Sequence, residues 1–192
     1  MAQELADALN LAEICFIPSA NPPHKATPTV SAQQRAEMVQ LAIADNPLFK
    51  LDTRELNRQG ASYTIDTLIS LHEELGKNVA LCLIMGSDAF SKLDSWHRWD
   101  DLLNYCHIVL VQRPDKQSQA KLSDQLTAFL SAHYTKNSDD LTEKSAGYIH
   151  MQQITAQDIS ATNIRKKLTS GKTCKIPSAR AGAGLHQATA SL

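Results

Sequence analysis

Apolar positions recur along this chain in two alternating rhythms, and their alternation predicts an architecture. Leu5, Ala8 and Leu9 share one face of a helix predicted over residues 2–11. A short apolar run at 13–17, stopped by Pro18, predicts a strand. Ser31-Ala32-Gln33-Gln34 is a capping-box start, and Ala36, Val39 and Ile43 give the helix that follows an inward stripe as far as Ala44. Residues 49–52 suggest a second strand. Ile65, Leu68, Ile69, His72 and Leu75 return to helical spacing over 64–75, where Gly76 supplies a stop. The runs 79–85 and 107–111 are continuously apolar, as strands covered on both faces of a parallel sheet must be. Arg113-Pro114 ends the second, and Leu122, Leu126, Phe129 and Leu130 mark a further amphipathic helix.

Strands that alternate with helices imply right-handed crossovers and an α/β, doubly wound parallel sheet of Rossmann-like type. At 192 residues with 43% hydrophobic content the chain is long enough for one domain with a real core. The formal charge of −1 gives no general reason to expect nucleic acid or an anionic membrane surface as partner. No apolar run approaches membrane-spanning length, and acidic Glu4 and Asp7 make residues 1–11 unlike a signal peptide. Cys15, Cys82, Cys106 and Cys174 form no CxxC pair. With Cys15 and Cys82 inside apolar runs, as small buried thiols are, a cytoplasmic protein without a metal site is the simplest reading. No feature specifies an oligomeric state.

Ligands of such sheets bind beyond the carboxyl ends of the strands, so the loops there are where chemistry is sought. Pro18-Ser19-Ala20-Asn21-Pro22-Pro23-His24-Lys25 follows the first strand directly, and its prolines stiffen a rim that holds His24 and Lys25. A rigid loop presenting a cation suits phosphate, although a solvated loop is the plainer alternative. Gly86 lets a ligand approach the backbone, while Asp88 either caps the next helix or reaches a ribose; capping is the simpler explanation. Both tryptophans lie in Asp94-Ser95-Trp96-His97-Arg98-Trp99. An indole beside a pocket can stack on a heteroaromatic ring. Core packing competes with that role for either tryptophan and is the preferred reading of Trp99. Gly60-Ala61-Ser62-Tyr63-Thr64 places hydroxyls and amides at a helix start. Finally, Ile159-Ser160-Ala161-Thr162-Asn163-Ile164-Arg165 sets two hydroxyls and a guanidinium at another helix start, where amides and dipole favour polyphosphate. An ordinary N-cap with a solvated arginine explains the same residues.

In order and approximate spacing these pieces together resemble the bacterial nicotinate-nucleotide adenylyltransferase family. The matching residues run from Phe16-Ile17-Pro18 and Pro22-Pro23-His24-Lys25 through Ser62-Tyr63-Thr64, Gly86-Ser87-Asp88 and Ser95-Trp96-His97 to Arg113-Pro114 and Ile159–Arg165. The last motif is shared across nucleotidylyltransferases, including the pantetheine-phosphate type, whereas the Trp96 loop is more specific. The resemblance implies transfer of AMP from ATP to nicotinate mononucleotide, giving deamido-NAD and pyrophosphate, with Mg2+. It assigns ATP to His24, Lys25, Gly86, Asp88, Ser160, Thr162 and Arg165. It assigns the nicotinate nucleotide to Tyr63, Thr64, Trp96 and His97, with the ring by Trp96 and its carboxylate on amides near Thr64 and His97. His97 stands where the family often has tyrosine.

Two departures shape the expectations. The family opens with a strand and a G-x-F-D-P-x-H-x-G-H loop, whose histidines hold the triphosphate; no such segment occurs in this sequence. Residues 2–11 match the helix that normally follows it, so Met1 reads as an internal methionine of a longer protein. The family's histidine pair is then absent, Arg165 has only a supporting role, and the chain as written is expected to be impaired. In the family's fold the first strand lies mid-sheet, so a gap is expected between the strands at 13–17 and 79–85. Residues 1–172 are expected to form the nucleotidylyltransferase domain. Residues 173–192, rich in Ala, Gly and Ser, are expected to form a divergent, disordered tail. The alternative outside enzymes is a non-catalytic nucleotide-binding remnant or gene fragment.

Overall fold

The computed structural model describes residues 1–20, 30–112 and 121–155. The chain divides into two units, Met1–Thr155 and Ala156–Leu192, and every described residue belongs to the first. His24, Lys25, Ser160, Thr162 and Arg165 therefore lie outside the described residues, as does the 173–192 tail.

Helix α1 (Ala2–Ala8) buries Leu5, Ala6 and Leu9. Ala8, expected inward, is exposed, because the buried stripe is turned towards Ala6. Strands β1 (Ile14–Phe16) and β2 (Phe49–Leu51) form a parallel pair joined by α2 (Ala32–Ile43). The capping box at its start is complete: Ser31 Oγ accepts from the Gln34 amide at 3.1 Å, and Gln34 Oε1 accepts from the Ser31 amide at 3.0 Å. Ala36 and Ile43 are buried and Val39 is half-buried. In β1, Ile14 faces the core and Cys15 is exposed, which corrects the expectation of a buried thiol; successive strand residues face opposite sides.

Helix α3 (Thr64–Leu75) crosses from β2 to strand β3 (Cys82–Gly86). Gly76 closes it at φ 88°, a conformation that favours glycine, with its N–H donating to the His72 carbonyl at 3.0 Å. Strand β3 starts later than its apolar run, and Val79 is exposed. Most of its residues are only half-buried, since it forms an edge of its sheet among the described residues. The doubly covered pattern belongs to β4 (His107–Gln112). With β5 (Tyr134–Thr135) and β6 (Ile149–Gln153) these strands form a parallel sheet in the order β3-β4-β6-β5. Helices α4 (Ser87–Phe90), α5 (Asp124–His133) and α6 (Asp140–Glu143) complete the α-helices described in the unit. Among the described residues β1 pairs with β2 alone and β3 with β4 alone, so the two ladders stay separate. The sheet is interrupted where expected, and β1 does not close onto β3.

Alternate residues of β4 feed two cores on opposite faces. Ile108 and Leu110 join Ile65, Leu68, Phe90 and Leu126, whereas Val109 and Val111 join Leu5, Leu9, Leu141 and Ile154. Helix α1 is also tied to the far end of β6, where Glu4 Oε1 accepts from the Thr155 amide at 2.6 Å and its hydroxyl at 2.7 Å.

His107, fully buried at the head of β4, spans a backbone turn. Its Nδ1 accepts from the Tyr148 amide at 3.1 Å, which leaves Nε2–H to donate to the Lys144 carbonyl at 2.9 Å. Its ring stacks on Tyr148 at 5.7 Å, with Lys144 Nζ 4.9 Å from the same tyrosine ring. Desolvation by burial pushes the His107 pKa below its ordinary value.

Candidate active site

The carboxyl end of β3 delivers the chain into the loop predicted to bind nucleotide. Gly86, exposed, is the residue before α4 (Ser87–Phe90). Asp88 does not cap this helix: it lies inside the first turn, and no side chain caps the start. Exposed there, its carboxylate complements the helix dipole.

Fully buried Phe90 and Leu93 then pin the loop to the core. Between them and the 3₁₀ turn Trp99–Asn104, the chain presents Trp96 half-buried and His97 exposed. Local bonds set this presentation: the Trp96 amide donates to the Leu93 carbonyl at 2.9 Å, and Ser95 Oγ to the Lys92 carbonyl at 2.7 Å. Asp94 accepts from Ser123 Oγ at 2.7 Å, which fastens the loop to the start of α5. Trp99 fulfils its core reading, meeting Phe129 edge-on at 5.0 Å. Trp96 also packs on the core with part of its indole.

Facing this loop is the start of α3. Tyr63 is its N-cap residue in extended conformation, and its own side chain makes no capping hydrogen bond. The first amides of a helix have no intrahelical acceptor, so Thr64 and its neighbours offer donors at the positive end of the dipole. The Tyr63 and His97 rings lie 4.4 Å apart at 34°. The fold thus brings an aromatic pair and a helix start together from segments remote in sequence, with Trp96 adjacent to His97 in the chain.

Residues not singled out by the sequence brace this corner. Arg54, after β2, pairs with Asp52 and donates to Ser70 Oγ at 3.0 Å and Glu74 Oε2 at 2.8 Å, fixing the strand exit to α3. Glu55 is buried and accepts from Thr67 Oγ1 at 2.9 Å. The available signal was three charges of mixed sign immediately after a strand, in Asp52-Thr53-Arg54-Glu55. Across the unit, Arg35 of α2 donates to the carbonyls of Ser19 and Val30, which flank residues 21–29. Among the described residues no group of three or more His, Cys, Asp or Glu side chains is arranged to hold a metal ion. No helix among them is long and apolar enough to cross a membrane.

Comparison with known proteins decides the lineage. The sequence model of the cytidylyltransferase-like family matches residues 1–167. A relative named "Probable nicotinate-nucleotide adenylyltransferase", from Halorhodospira halophila, is 42% identical over 174 residues, which cover 91% of this chain and 78% of the relative. The chain belongs to the nicotinate-nucleotide adenylyltransferase family. Relatives of the same name from Aeromonas salmonicida, 44% identical over 89% of this chain and 78% of the relative, and Yersinia pestis, 39% identical over 90% and 78%, agree with this family assignment. A solved structure of the Plasmodium falciparum nicotinic acid mononucleotide adenylyltransferase, complexed with NaAD, superposes with a TM-score of 0.58 at 17% identity. It covers 90% of this chain and 78% of the other, and supports the Rossmann-like nucleotidylyltransferase fold.

Proposed function

We propose that this chain binds nicotinate mononucleotide and ATP and transfers AMP between them, giving deamido-NAD and pyrophosphate. The observation that carries the reading is the Tyr63–His97 pair set at the start of α3, in a chain of this family. The pyridine ring belongs beside Trp96, with Tyr63 and His97 forming the rest of its wall. Its carboxylate belongs on backbone amides around Thr64 and His97. Gly86 and Asp88 stand at the β3 exit to meet the nucleotide, and for the phosphates the reading rests on the motif residues His24, Lys25, Ser160, Thr162 and Arg165. We place the reaction in the cytoplasm.

The chemistry needs positioning and charge rather than a protein nucleophile, because the substrate's own phosphate oxygen attacks the α-phosphorus in line. Mg2+ enters with ATP as part of the substrate. It keeps several waters and takes phosphate oxygens with one or two carboxylates, so no cage of protein ligands is required. The domain carrying this work is proposed to extend over residues 1–172.

Ligand choice tests the reading. A nicotinate carboxylate gains charge-assisted hydrogen bonds from the helix start that a neutral amide forfeits, at about 1.5–3 kcal/mol each. Calorimetry is therefore expected to show nicotinate mononucleotide binding at least about tenfold more tightly than nicotinamide mononucleotide. Equal or tighter binding of the amide would remove the carboxylate site from this corner.

A further inference from the structure

We propose that Glu55, acting through Thr67, is a positioning residue for the nicotinate-nucleotide pocket; the inference rests on the function proposed above. Glu55 is 8% exposed and Thr67 5%. A carboxylate so deeply placed needs a donor, and Thr67 Oγ1 supplies one at 2.9 Å. The same hydroxyl oxygen accepts from Arg58 Nη1 at 3.4 Å, and of the two acceptors within reach of its single proton Glu55 is the nearer, at 2.9 Å.

The alternative acceptor for that proton is the Tyr63 carbonyl, 3.5 Å from Thr67 Oγ1. Threonine hydroxyls in helices readily bond the carbonyl four residues back, and doing so bends the helix. The Tyr63 carbonyl already accepts the Thr67 amide at 3.3 Å as the opening bond of α3. Glu55, the nearer acceptor, therefore draws the hydroxyl proton away from the carbonyl that opens the helix. Tyr63, whose carbonyl is at stake, is the residue whose ring lies against His97. Glu55 also closes the strap between β2 and α3, where the Leu56 amide bonds the Thr53 carbonyl at 2.9 Å and Arg58 reaches Thr67. Without the carboxylate, the strap is released and the hydroxyl turns to Tyr63. Both changes move the donors and ring that face the pyridine, and neither touches the β3 exit where ATP is placed.

The test compares Glu55→Ala with Glu55→Gln, whose amide oxygen still accepts from Thr67, by calorimetry with each nucleotide alone. Misplacement of this kind is expected to raise the nicotinate mononucleotide Kd roughly ten- to a hundredfold in Glu55→Ala, with ATP affinity within about twofold and Glu55→Gln close to the parent. Should Glu55→Ala fail to fold, Thr67→Val decides: with no hydroxyl to turn to Tyr63 it isolates release of the strap and is expected to raise the same Kd roughly three- to tenfold, while Thr67→Ser keeps the hydroxyl and stays close to the parent. Loss of both nucleotides together, or unchanged nicotinate-nucleotide affinity in a folded Glu55→Ala or Thr67→Val, overturns the inference and leaves the proposed function standing. A parent chain that binds no nicotinate mononucleotide overturns both.

Discussion

His107→Leu is expected to be the most damaging single substitution in the described core. The change removes the ring that accepts from the Tyr148 amide and donates to the Lys144 carbonyl. Each buried polar group left without a partner costs about 1–3 kcal/mol. The half-buried Tyr148 amide bears most of that cost, while the carbonyl of exposed Lys144 can turn to water; the loss is still a substantial share of a whole folding stability of about 5–15 kcal/mol. Leucine adds apolar contact, but it cannot bridge the turn that carries β6 to its place beside β4. Urea unfolding measures the difference directly, and a loss below about 1 kcal/mol would mean that the turn holds without the ring.

The same residue makes stability depend on pH. Burial holds His107 neutral below its ordinary value of 6.5, while in the unfolded chain it takes up a proton near that value. The unfolded state thus binds more protons in the window just below 6.5, and stability falls as pH falls through it. Above that window the stabilisation is fully present. Unfolding free energies measured at intervals from pH 7.5 to 5 are expected to show this acid-side slope in the parent and a shallower one in His107→Leu. Equal slopes would assign the effect to other groups.

Arg165→Ala is expected to raise the Kd for ATP by roughly ten- to a hundredfold, the loss of one or more charge-assisted hydrogen bonds of about 1.5–3 kcal/mol. The reasoning is positional. Arg165 falls within the first turns of the helix expected after Ile159-Ser160-Ala161-Thr162, where free amides and the dipole already favour phosphate. Its planar fork adds two parallel donors. Lys172 carries the same charge beyond those turns, so Lys172→Ala is expected to change the Kd by less than about twofold. Titration of both variants with ATP and Mg2+ separates the two arrangements. Comparable losses would make the contribution one of general charge, and no loss at Arg165 would move the triphosphate elsewhere.

Much of the frame was legible in the sequence because its signals are local. The capping box of α2, the glycine stop of α3 and the continuous apolar run of β4 each depend on neighbouring residues alone. Strand β5 has two residues, and β6 mixes Ile149 and Met151 with His150, Gln152 and Gln153, so neither carries a run long enough to announce itself. The edge position of β3 was hidden for another reason: an apolar run states what can be covered, not how many neighbours arrive. At the site, Tyr63, Thr64, Trp96 and His97 could be named from their motifs, but the ring contact between Tyr63 and His97 is a tertiary fact. Glu55 was the hardest to foresee. A glutamate after a strand ordinarily faces water, and only Thr67, one turn inside a separate helix, makes its burial tolerable.

The seat of α1 has a consequence for how the chain acquires its structure. Leu5 and Leu9 rest on Val109, Val111 and Ile154, and Glu4 is held by Thr155, 151 positions later in the chain. A seven-residue helix does not persist alone in water. On the ribosome, at about 5–20 residues per second, α1 therefore waits on the order of ten seconds for the strands that cover it. During that interval it is an exposed apolar segment for a nascent-chain chaperone to hold. A helix synthesised well before these strands thus forms only after them, and its amides gain protection from exchange only when β6 is in place.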